Sequence, residues 1–228
     1  IDEYVSYNPV CVIVARGEEI PNYLIEKANK NGIPIFSTTI STTRFSSMLL
    51  NYLEEKLAPI KVIHGVLVDI YGIGVLIKGQ SGIGKSETAI ELVKRGHRLV
   101  ADDIIEIKKV GELHLSGSAP NNSRYFLEMR GIGIINVKTL FGAGAVKHDS
   151  PINLAIKLER WKEGEEYERL GIDSRKTEIM DLEIDEIIIP VKPGRNLALV
   201  LEVAAMNYRM KTMGYNAAVD FTENIMKK

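Results

Sequence analysis

The sequence predicts an α/β fold, and three observations lead to that prediction. Apolar runs of strand length alternate with segments in which apolar residues recur at helical spacing. At residues 79–86, a glycine-rich stretch with the spacing of a nucleotide phosphate loop joins one such strand to one such helix. The 228 residues suffice for one large domain, or for one domain and a fragment. We therefore expect an α/β nucleotide-binding domain preceded by part of a smaller α/β unit.

The first part of the chain reads strand, helix, strand, helix. Residues 9–15 are typical of a buried strand, Pro21 opens a helix that Gly32 ends, and residues 33–36 form a short extended segment. A second helix follows, which Ser41 can cap. Its predicted apolar side comprises Phe45, Met48, Leu49, Tyr52 and Leu57.

Pro59 marks the predicted domain boundary, because proline disfavours helix in the residue before it. We assign residues 1–58 to a partial N-terminal α/β domain with its linker, and residues 59–228 to a second domain. The chain begins without methionine and almost directly in a strand-like segment, so we expect the first domain to be incomplete.

The second domain is predicted to contain most of the strands. These strands are 61–64, 66–71, 74–78, 99–101, 104–108, 112–115, 152–158 and 184–191. Gly65 separates the first two, and the pair Asp102-Asp103 stands at the end of the fourth. The predicted helices are Lys85–Arg95, with Ala89, Leu92 and Val93 buried, and Asn196–Lys211, with Leu197, Val200, Leu201, Ala204 and Ala205 buried.

Charge and composition exclude several classes of protein. Lys and Arg number 29 against 30 Asp and Glu, so bulk charge does not attract the chain to nucleic acid or to an anionic membrane. No uncharged apolar stretch is long enough to span a bilayer. Cys11 is the single cysteine, so no internal disulfide can form, which suits a reducing cytosol. We expect a cytoplasmic protein that binds neither nucleic acid nor membrane.

The phosphate loop carries the clearest chemistry, and its residues are Gly79, Gln80, Ser81, Gly82, Ile83, Gly84, Lys85 and Ser86. Glycines allow backbone N–H groups to converge on phosphate oxygens, and the start of the following helix adds positive potential. Lys85 would reach the terminal phosphates, and Ser86 would bind Mg²⁺. The alternative is a glycine-rich turn with an accidental Lys-Ser pair, but the flanking strand and helix favour a phosphotransferase.

Two pairs of charged residues have a functional and a plain interpretation. Asp102 and Asp103 resemble the acids that phosphate-loop enzymes place beside the metal, where one carboxylate holds Mg²⁺ and the next acts as general base. The alternative is a solvated turn. Glu128 and Arg130 enclose a methionine in an apolar, glycine-rich passage. They are either a Mg²⁺ ligand and a phosphate-binding guanidinium or a surface ion pair.

The sequence gives a weaker indication of function for four further residues. Lys192 and Arg195 lie in a segment with two prolines and a glycine just before a helix, which either holds an anion or is a simple loop. His64 is isolated, and a lone histidine usually has a structural role. Trp161 belongs to no motif that would indicate a function for it.

Six motifs together resemble the HPr kinase/phosphorylase family. They are His64-Gly65, Gly79 to Glu87, Ala101 to Asp103, Leu127 to Gly133, Tyr167 to Gly171, and Pro193 to Asn196. The phosphate loop alone is generic, whereas Leu-Glu-Met-Arg-Gly-Ile-Gly in this order is highly specific. The resemblance covers residues 60–228, and residues 1–58 resemble the later part of that family's N-terminal domain.

The resemblance implies an enzyme that phosphorylates a serine of HPr, the phosphocarrier of the sugar phosphotransferase system, with ATP or pyrophosphate as donor and Mg²⁺ as cofactor. It also implies the reverse reaction, in which inorganic phosphate attacks the phosphoserine and gives pyrophosphate, and a role in carbon catabolite repression. The implied fold is a P-loop nucleotide-binding domain of the phosphoenolpyruvate carboxykinase-like type, and the implied assembly is a homohexamer.

The resemblance also implies residue roles. The implied catalytic residues are His64, Lys85, Asp103 and Arg169, and the implied Mg²⁺ ligands are Ser86 and Glu128, with Asp102 near the metal. Asp103 would take the serine proton in the forward direction and return it in reverse. The segment 127–136, which includes Arg130, would serve both directions, and the segment 190–195, which includes Lys192 and Arg195, would serve chiefly the phosphorolysis.

Two other functions agree with the phosphate loop. One is a kinase that acts on a small metabolite, and it would phosphorylate small alcohols or acids without a protein acceptor. The other is a non-catalytic regulatory module, in which ATP only gates assembly. Loss of the Asp103 carboxylate would leave the second function intact and abolish phosphoryl transfer.

Overall fold

The computed structural model describes residues 1–163 and 175–226, and only the backbone of Glu55. The chain divides into two compact units, Ile1–Ala58 and Pro59–Lys228. No helix in these described ranges is both long and apolar enough to cross a membrane.

The first unit is a small α/β arrangement. Its elements are α1 Asp2–Ser6, β1 Val12–Val14, α2 Asn22–Lys30, β2 Ile35–Ser37 and α3 Thr42–Leu57. The two strands pair in parallel, with Val12 opposite Ile35. A small core forms where α1, β1 and α2 meet, and it buries Val5, Val12, Ala28 and Ile33.

The prediction of a second helix in this unit is confirmed, but only Phe45 and Leu49 of its predicted apolar side are half-buried. Met48, Tyr52 and Leu57 on α3 are all more than half exposed. They face solvent because the core of this unit is formed by α1, β1, α2 and the turn before β2. Ser41 occupies the N-cap position of α3 without a capping hydrogen bond from its side chain.

The second unit contains most of the strands, as expected. Its elements are β3 Ile60–Ile70, β4 Ile73–Gly79, α4 Lys85–Lys94, β5 Arg98–Val110, β6 His114–Ser118, β7 Phe126–Met129, β8 Gly133–Asn136, α5 Val137–Phe141, a 3₁₀ turn at Ala143–Ala145, β9 Asp149–Pro151, β10 Leu154–Arg160, β11 Arg175–Ile179, β12 Leu182–Val191, α6 Leu197–Thr212 and α7 Ala217–Met226. Eight strands form one mixed sheet in the order β11-β12-β10-β4-β3-β5-β6-β9, and β7 and β8 form a separate hairpin.

Three neighbouring strands of the large sheet are parallel, and this places their carboxyl ends at one edge. β10 pairs in parallel with β4 on one side and with β12 on the other. Leu158 lies opposite Gly79, and Arg160 lies opposite Val191. Ligands of open α/β sheets bind outside such carboxyl ends, so this edge is the expected position of a nucleotide.

Alternate residues of the central strands pack on the two faces of the sheet. On one face, Val66, Val75 and Ile77 share a cluster with residues of α4 and α6. On the other face, Leu67 and Leu76 belong to a second cluster. The predicted burial of Ala89, Leu92 and Val93 on α4 is confirmed. On α6 the buried residues are Ala198, Leu201, Glu202 and Ala205, while Leu197, Val200 and Ala204 are partly buried.

The predicted break in β3 is wrong, because the strand runs unbroken through Gly65. A Cβ atom on this residue would lie 2.7 Å from the carbonyl oxygen of Ile77 on β4. Glycine is therefore needed here for the close approach of two backbones rather than for a turn.

The predicted end of a strand at Asp102-Asp103 is also wrong. Residues 99–101 and 104–108 belong to one strand, β5, and the two aspartates lie near its middle. Asp102 pairs with Val66 and Asp103 with Gly65 on β3. Backbone hydrogen bonding to β3 continues regardless of side-chain charge, which is why the charged pair does not terminate the strand. β6 also begins later than expected, at His114.

Candidate active site

The phosphate loop leaves the end of β4 and enters the first turn of α4. Gly84 precedes the helix with φ +103°, a backbone conformation that glycine adopts without a steric penalty. The ammonium of Lys85 donates hydrogen bonds to the carbonyl oxygens of Gly79, at 2.9 Å, and Gln80, at 3.1 Å. The predicted strand–loop–helix context is confirmed, and Lys85 lies across the start of the loop.

Asp102 connects three elements of the site. The Ser86 hydroxyl donates to Asp102 Oδ1 at 3.0 Å, and the backbone N–H of Glu128 donates to Asp102 Oδ2 at 3.1 Å. Asp102 is only 7% exposed. Burial raises the pKa of Asp102 above its ordinary value, although both hydrogen bonds act in the opposite direction. The carboxylate thus ties the first turn of α4 and the β7–β8 hairpin to the middle of β5.

The β7–β8 hairpin places two of the predicted charged residues beside the phosphate loop. Leu127 is buried in the main core, whereas Glu128 is exposed, directly opposite the exposed Ile134 on β8. Arg130 Nη2 donates to the Ser81 hydroxyl at 2.9 Å. This contact places the Arg130 guanidinium against the phosphate loop, as the functional interpretation of the pair expects, and not in the ion pair with Glu128 that was the plain alternative.

Asp103 and His64 form the other side of the site. His64 Nδ1 lies 3.8 Å from Asp103 Oδ1, and the two side chains are 79% and 74% exposed. Asp103 adopts φ +64°, a left-handed conformation that is rare for a residue other than glycine and concentrates at functional sites. His64 is therefore an exposed neighbour of the predicted base and not a packed core histidine.

Lys192 and Arg195 follow β12 at the same edge of the sheet. Lys192 Nζ lies 3.4 Å from the centroid of the Trp161 ring. Arg195 Nη1 donates to the carbonyl oxygen of Pro190 at 2.8 Å. The predicted catalytic residue Arg169 falls in the segment 164–174, outside the described residues.

Sequence reasoning gave Trp161 no role, and the structure places its ring beside Lys192. It follows the last residue of β10, and its backbone N–H donates to the carbonyl oxygen of Val191 at 3.1 Å. An aromatic residue just beyond a strand is not by itself a functional signal. Only the pairing of β10 with β12 shows that this ring and Lys192 are neighbours.

The described residues fit Mg²⁺ as a cofactor. Within them, no group of three or more His, Cys, Asp or Glu side chains could hold a metal by itself. Mg²⁺ in phosphoryl-transfer enzymes needs no such cage, since it takes oxygen ligands and is held by one or two carboxylates together with substrate phosphates. Ser86 and Asp102, which are hydrogen-bonded to each other, supply oxygen ligands of this kind together with Glu128 on the adjoining hairpin.

Comparison with known proteins decides the family. Residues 55–225 match the model of the HPr Serine kinase C-terminal domain, and residues 1–53 match that of the HPr Serine kinase N terminus. The chain belongs to the HPr kinase/phosphorylase family. It is accordingly an enzyme of nucleotide-dependent phosphoryl transfer, a serine kinase and phosphorylase, and the family resemblance inferred from its motifs is confirmed.

Individual relatives agree with this assignment. The HPr kinase/phosphorylases of Bacillus mycoides (strain KBAB4) and Bacillus cereus (strain B4264) are each 56% identical to the chain over 216 residues, which is 95% of this chain and 70% of theirs. The solved structure of the HPr(Ser) kinase/phosphatase from Coxiella burnetii is similar with a TM-score of 0.63 and 35% identity. That match covers 71% of this chain and 98% of the Coxiella chain. The mixed α/β fold of the HPr kinase/phosphorylase family is therefore present here.

Proposed function

We propose that this enzyme phosphorylates a serine of HPr with ATP or pyrophosphate as donor, and that it reverses the reaction by phosphorolysis. In the reverse direction, inorganic phosphate takes the phosphoryl group from phosphoserine and leaves as pyrophosphate. One observation carries the proposal: consecutive aspartates have different surroundings. Asp102 is buried and bonded to Ser86 of the phosphate loop, whereas Asp103 is exposed beside His64. One carboxylate thus serves the donor side of the site and the next serves the acceptor side.

On the donor side, the phosphate loop holds the phosphates of ATP or pyrophosphate. Its N–H groups and the N-terminus of α4 bind phosphate oxygens. Lys85 exchanges its carbonyl partners for the terminal phosphate and neutralises charge on the transferred group. Arg130, which already reaches Ser81, adds a second cation over the loop.

Ser86 and Glu128, with Asp102 beside them, would hold Mg²⁺. Bound there, Mg²⁺ supplies positive charge that neutralises the phosphates of the donor. Asp102 keeps the Ser86 hydroxyl and the hairpin of Glu128 in fixed relation, because each of its two oxygens accepts one hydrogen bond.

On the acceptor side, Asp103 takes the proton of the serine hydroxyl while the serine oxygen forms a bond to phosphorus. The bond from phosphorus to the leaving phosphate of the donor breaks in the same displacement. In the reverse direction, Asp103 returns the proton to the serine oxygen as inorganic phosphate attacks. His64 lies next to Asp103 and binds the transferring group, and Arg169 is proposed as a further catalytic cation. Lys192 and Arg195 are proposed to bind phosphate chiefly in the phosphorolysis.

The remaining parts of the proposal rest on the family. We assign residues 59–228 to a catalytic P-loop domain of the phosphoenolpyruvate carboxykinase-like type, and residues 1–58 to part of the N-terminal domain. The proposed assembly is a cytoplasmic homohexamer, and its proposed role is the regulation of carbon catabolite repression.

The test is transfer of labelled phosphate from ATP and Mg²⁺ to purified HPr, followed by addition of inorganic phosphate. We expect labelling of a serine, then loss of the label with release of pyrophosphate. Asp103→Asn should reduce both rates by about 10²- to 10⁴-fold, the usual contribution of a general base. Asp149→Asn, at another exposed aspartate, should leave both rates unchanged.

Two results would replace the proposal. Labelling of a small alcohol or acid in place of HPr would favour a metabolite kinase. ATP binding without transfer to any acceptor, unchanged in Asp103→Asn, would favour an ATP-gated regulatory module.

A further inference from the structure

The contact between Lys192 and Trp161 is a feature that the phosphate-loop chemistry leaves unexplained. The ammonium of Lys192 lies 3.4 Å from the centroid of the indole ring. A cation in this position over an aromatic face is attracted by the negative potential of the ring. Lys192 is exposed and Trp161 is 42% exposed, so both can meet a ligand from solvent.

The backbone fixes where the ring and the lysine stand. Trp161 follows β10 and bonds to Val191, the last residue of β12. Lys192 follows that residue directly, and the N–H of Arg195 closes a turn on the Lys192 carbonyl oxygen at 3.2 Å. The backbone of Trp161 is therefore held by the end of β12, and that of Lys192 by the turn that follows it.

The same sheet ends β10 and β12, which lead into Trp161 and Lys192, at the edge where the phosphate loop begins. Leu158 of β10 lies opposite Gly79, the first residue of the loop. From the other direction, a Cβ on Gly84 would lie 3.9 Å from Leu197, the first residue of α6 beyond the Lys192 turn. Segments on both sides of the pair thus border the loop.

A lysine side chain has four rotatable bonds, so the position of its backbone at a strand end does not determine where its charge lies. The indole face favours one position and so reduces the freedom that Lys192 would lose on binding an anion. ATP is also anchored by its α-phosphate and nucleoside, whereas inorganic phosphate and pyrophosphate depend on cations around the loop. A contact that positions one such cation therefore affects the smaller ligands more than ATP.

We propose that Trp161 is a positioning residue that holds the Lys192 ammonium at the phosphate-loop edge, where it binds inorganic phosphate and pyrophosphate. The proposal rests on the proposed phosphorolysis and adds a determinant of the balance between its two directions. It gives Trp161 no contact with the reacting atoms.

The first test compares Trp161→Leu, Trp161→Phe and Lys192→Met in the full chain. In phosphorolysis of phosphoserine-HPr, Trp161→Leu should raise KM for inorganic phosphate about two- to fivefold, the factor expected of a half-exposed cation–π contact, with little change in kcat. Trp161→Phe should restore most of the loss. In the kinase direction, Trp161→Leu should change KM for ATP by a smaller factor than it changes KM for inorganic phosphate.

The double variant separates positioning from general structural damage. If the ring acts through Lys192, Trp161→Leu has no further effect on KM for phosphate when Lys192→Met is already present. Additive effects of the two changes, or equal increases in KM for ATP and for phosphate, would overturn the proposal.

A binding measurement keeps this inference distinct from the proposed function. Trp161 is the single tryptophan of the chain, so intrinsic fluorescence reports on its ring. Pyrophosphate should change the emission of the wild-type chain, with weaker binding and a smaller change in Lys192→Met. If the wild type shows this response but no transfer to or from HPr, the proposed function fails and the positioning role stands. If Lys192→Met binds pyrophosphate as tightly as the wild type, with the same emission change, the positioning role fails whatever the activity.

Discussion

Asp103 combines an exposed carboxylate with a strained backbone in the middle of β5. Its φ of +64° costs an aspartate on the order of 1 kcal/mol, and a β-branched residue more. The partner opposite is Gly65, which has no side chain to crowd it. The strain is retained at the residue proposed as the base, beside His64, which is consistent with a role for this conformation in aiming the carboxylate.

We expect Asp103→Gly and Asp103→Val to separate stability from activity. Both variants lack the base, so phosphoryl transfer should fall by orders of magnitude in each. Asp103→Gly should match or exceed the wild type in stability by up to about 1 kcal/mol, and Asp103→Val should lose about 1–2 kcal/mol. Urea unfolding measures the difference, and equal stability of the two variants would show that the backbone at this position is unstrained.

Asp69 is a buried carboxylate away from the phosphate loop, at the end of β3. It is 3% exposed and accepts hydrogen bonds from Lys147 at 2.6 Å, Arg98 at 3.1 Å and the Gly72 N–H at 3.0 Å. Burial alone would raise the pKa of Asp69. The hydrogen bonds and the two cations outweigh this effect of burial, so the pKa of Asp69 lies below its ordinary value.

A lowered pKa makes the contribution of Asp69 to stability depend on pH. The contribution is complete above the unfolded-state pKa of about 3.9 and is lost as the pH falls through the lower folded-state pKa. Asp69→Asn should therefore cost about 2 kcal/mol at pH 7, below the range for a fully buried pair because both cations are partly exposed. The deficit should narrow below about pH 4.

Unfolding free energies measured from pH 7 down to pH 3 test this expectation. Glu183→Gln removes an exposed partner of Lys176 and serves as the control, with a change of less than about 1 kcal/mol at pH 7. A deficit of Asp69→Asn that stays constant over the whole range would contradict the assigned role of the charge.

At the scale of elements, the approach of β3 to β4 determines where the phosphate loop starts. Gly65 allows the backbone of Ile77 to come close, and Ile77 precedes the first loop residue, Gly79, by two positions. A methyl group between these strands would push on β4 immediately before the loop. The glycine therefore contributes to the position of the donor site through the backbone of β4.

Gly65→Ala should destabilise the second unit by about 1–3 kcal/mol, the range for an overpacked interior, and should weaken ATP binding. Gly144→Ala is the matched control, since a Cβ there has no neighbour within 4 Å and its φ is not positive. Thermal unfolding and ATP titration of both variants measure the two effects. Wild-type behaviour of Gly65→Ala would mean that β3 and β4 shift apart without consequence for the loop.

At the scale of the whole molecule, the two units differ in the size of their cores. Among the side chains that the structure describes, the core of the first unit buries Val5, Val12, Ala28 and Ile33. The second unit buries two large clusters on the two faces of an eight-stranded sheet. Because apolar burial is the main favourable term in folding, the free energy of opening should be lower for the first unit than for the second.

Hydrogen exchange should show this inequality directly. Backbone amides in residues 1–58 should exchange at lower protection than the amides of β3, β4 and β5, and a thermal scan should show an early transition that leaves ATP binding intact. Equal protection in both units, with one cooperative transition, would contradict the expectation.

Several properties could be predicted from the sequence because they depend on neighbours along the chain. Helix α4 was predicted at Lys85–Arg95 and lies at Lys85–Lys94, with its buried side as expected. The phosphate loop, its flanking strand and helix, and the family were all predictable from local spacing and motifs. The role of Arg169 stays a prediction.

The tertiary structure alone decided the features that depend on distant parts of the chain. Strand pairing with β3 carries β5 past its two aspartates, and the hydrogen bonds of Asp102 link residues 16 and 26 positions away. The exposed side of α3 and the contact of Trp161 with Lys192 also depend on segments that are distant along the chain. Periodicity states which side of an element is apolar, whereas backbone pairing and packing between distant segments determine which partner that side meets.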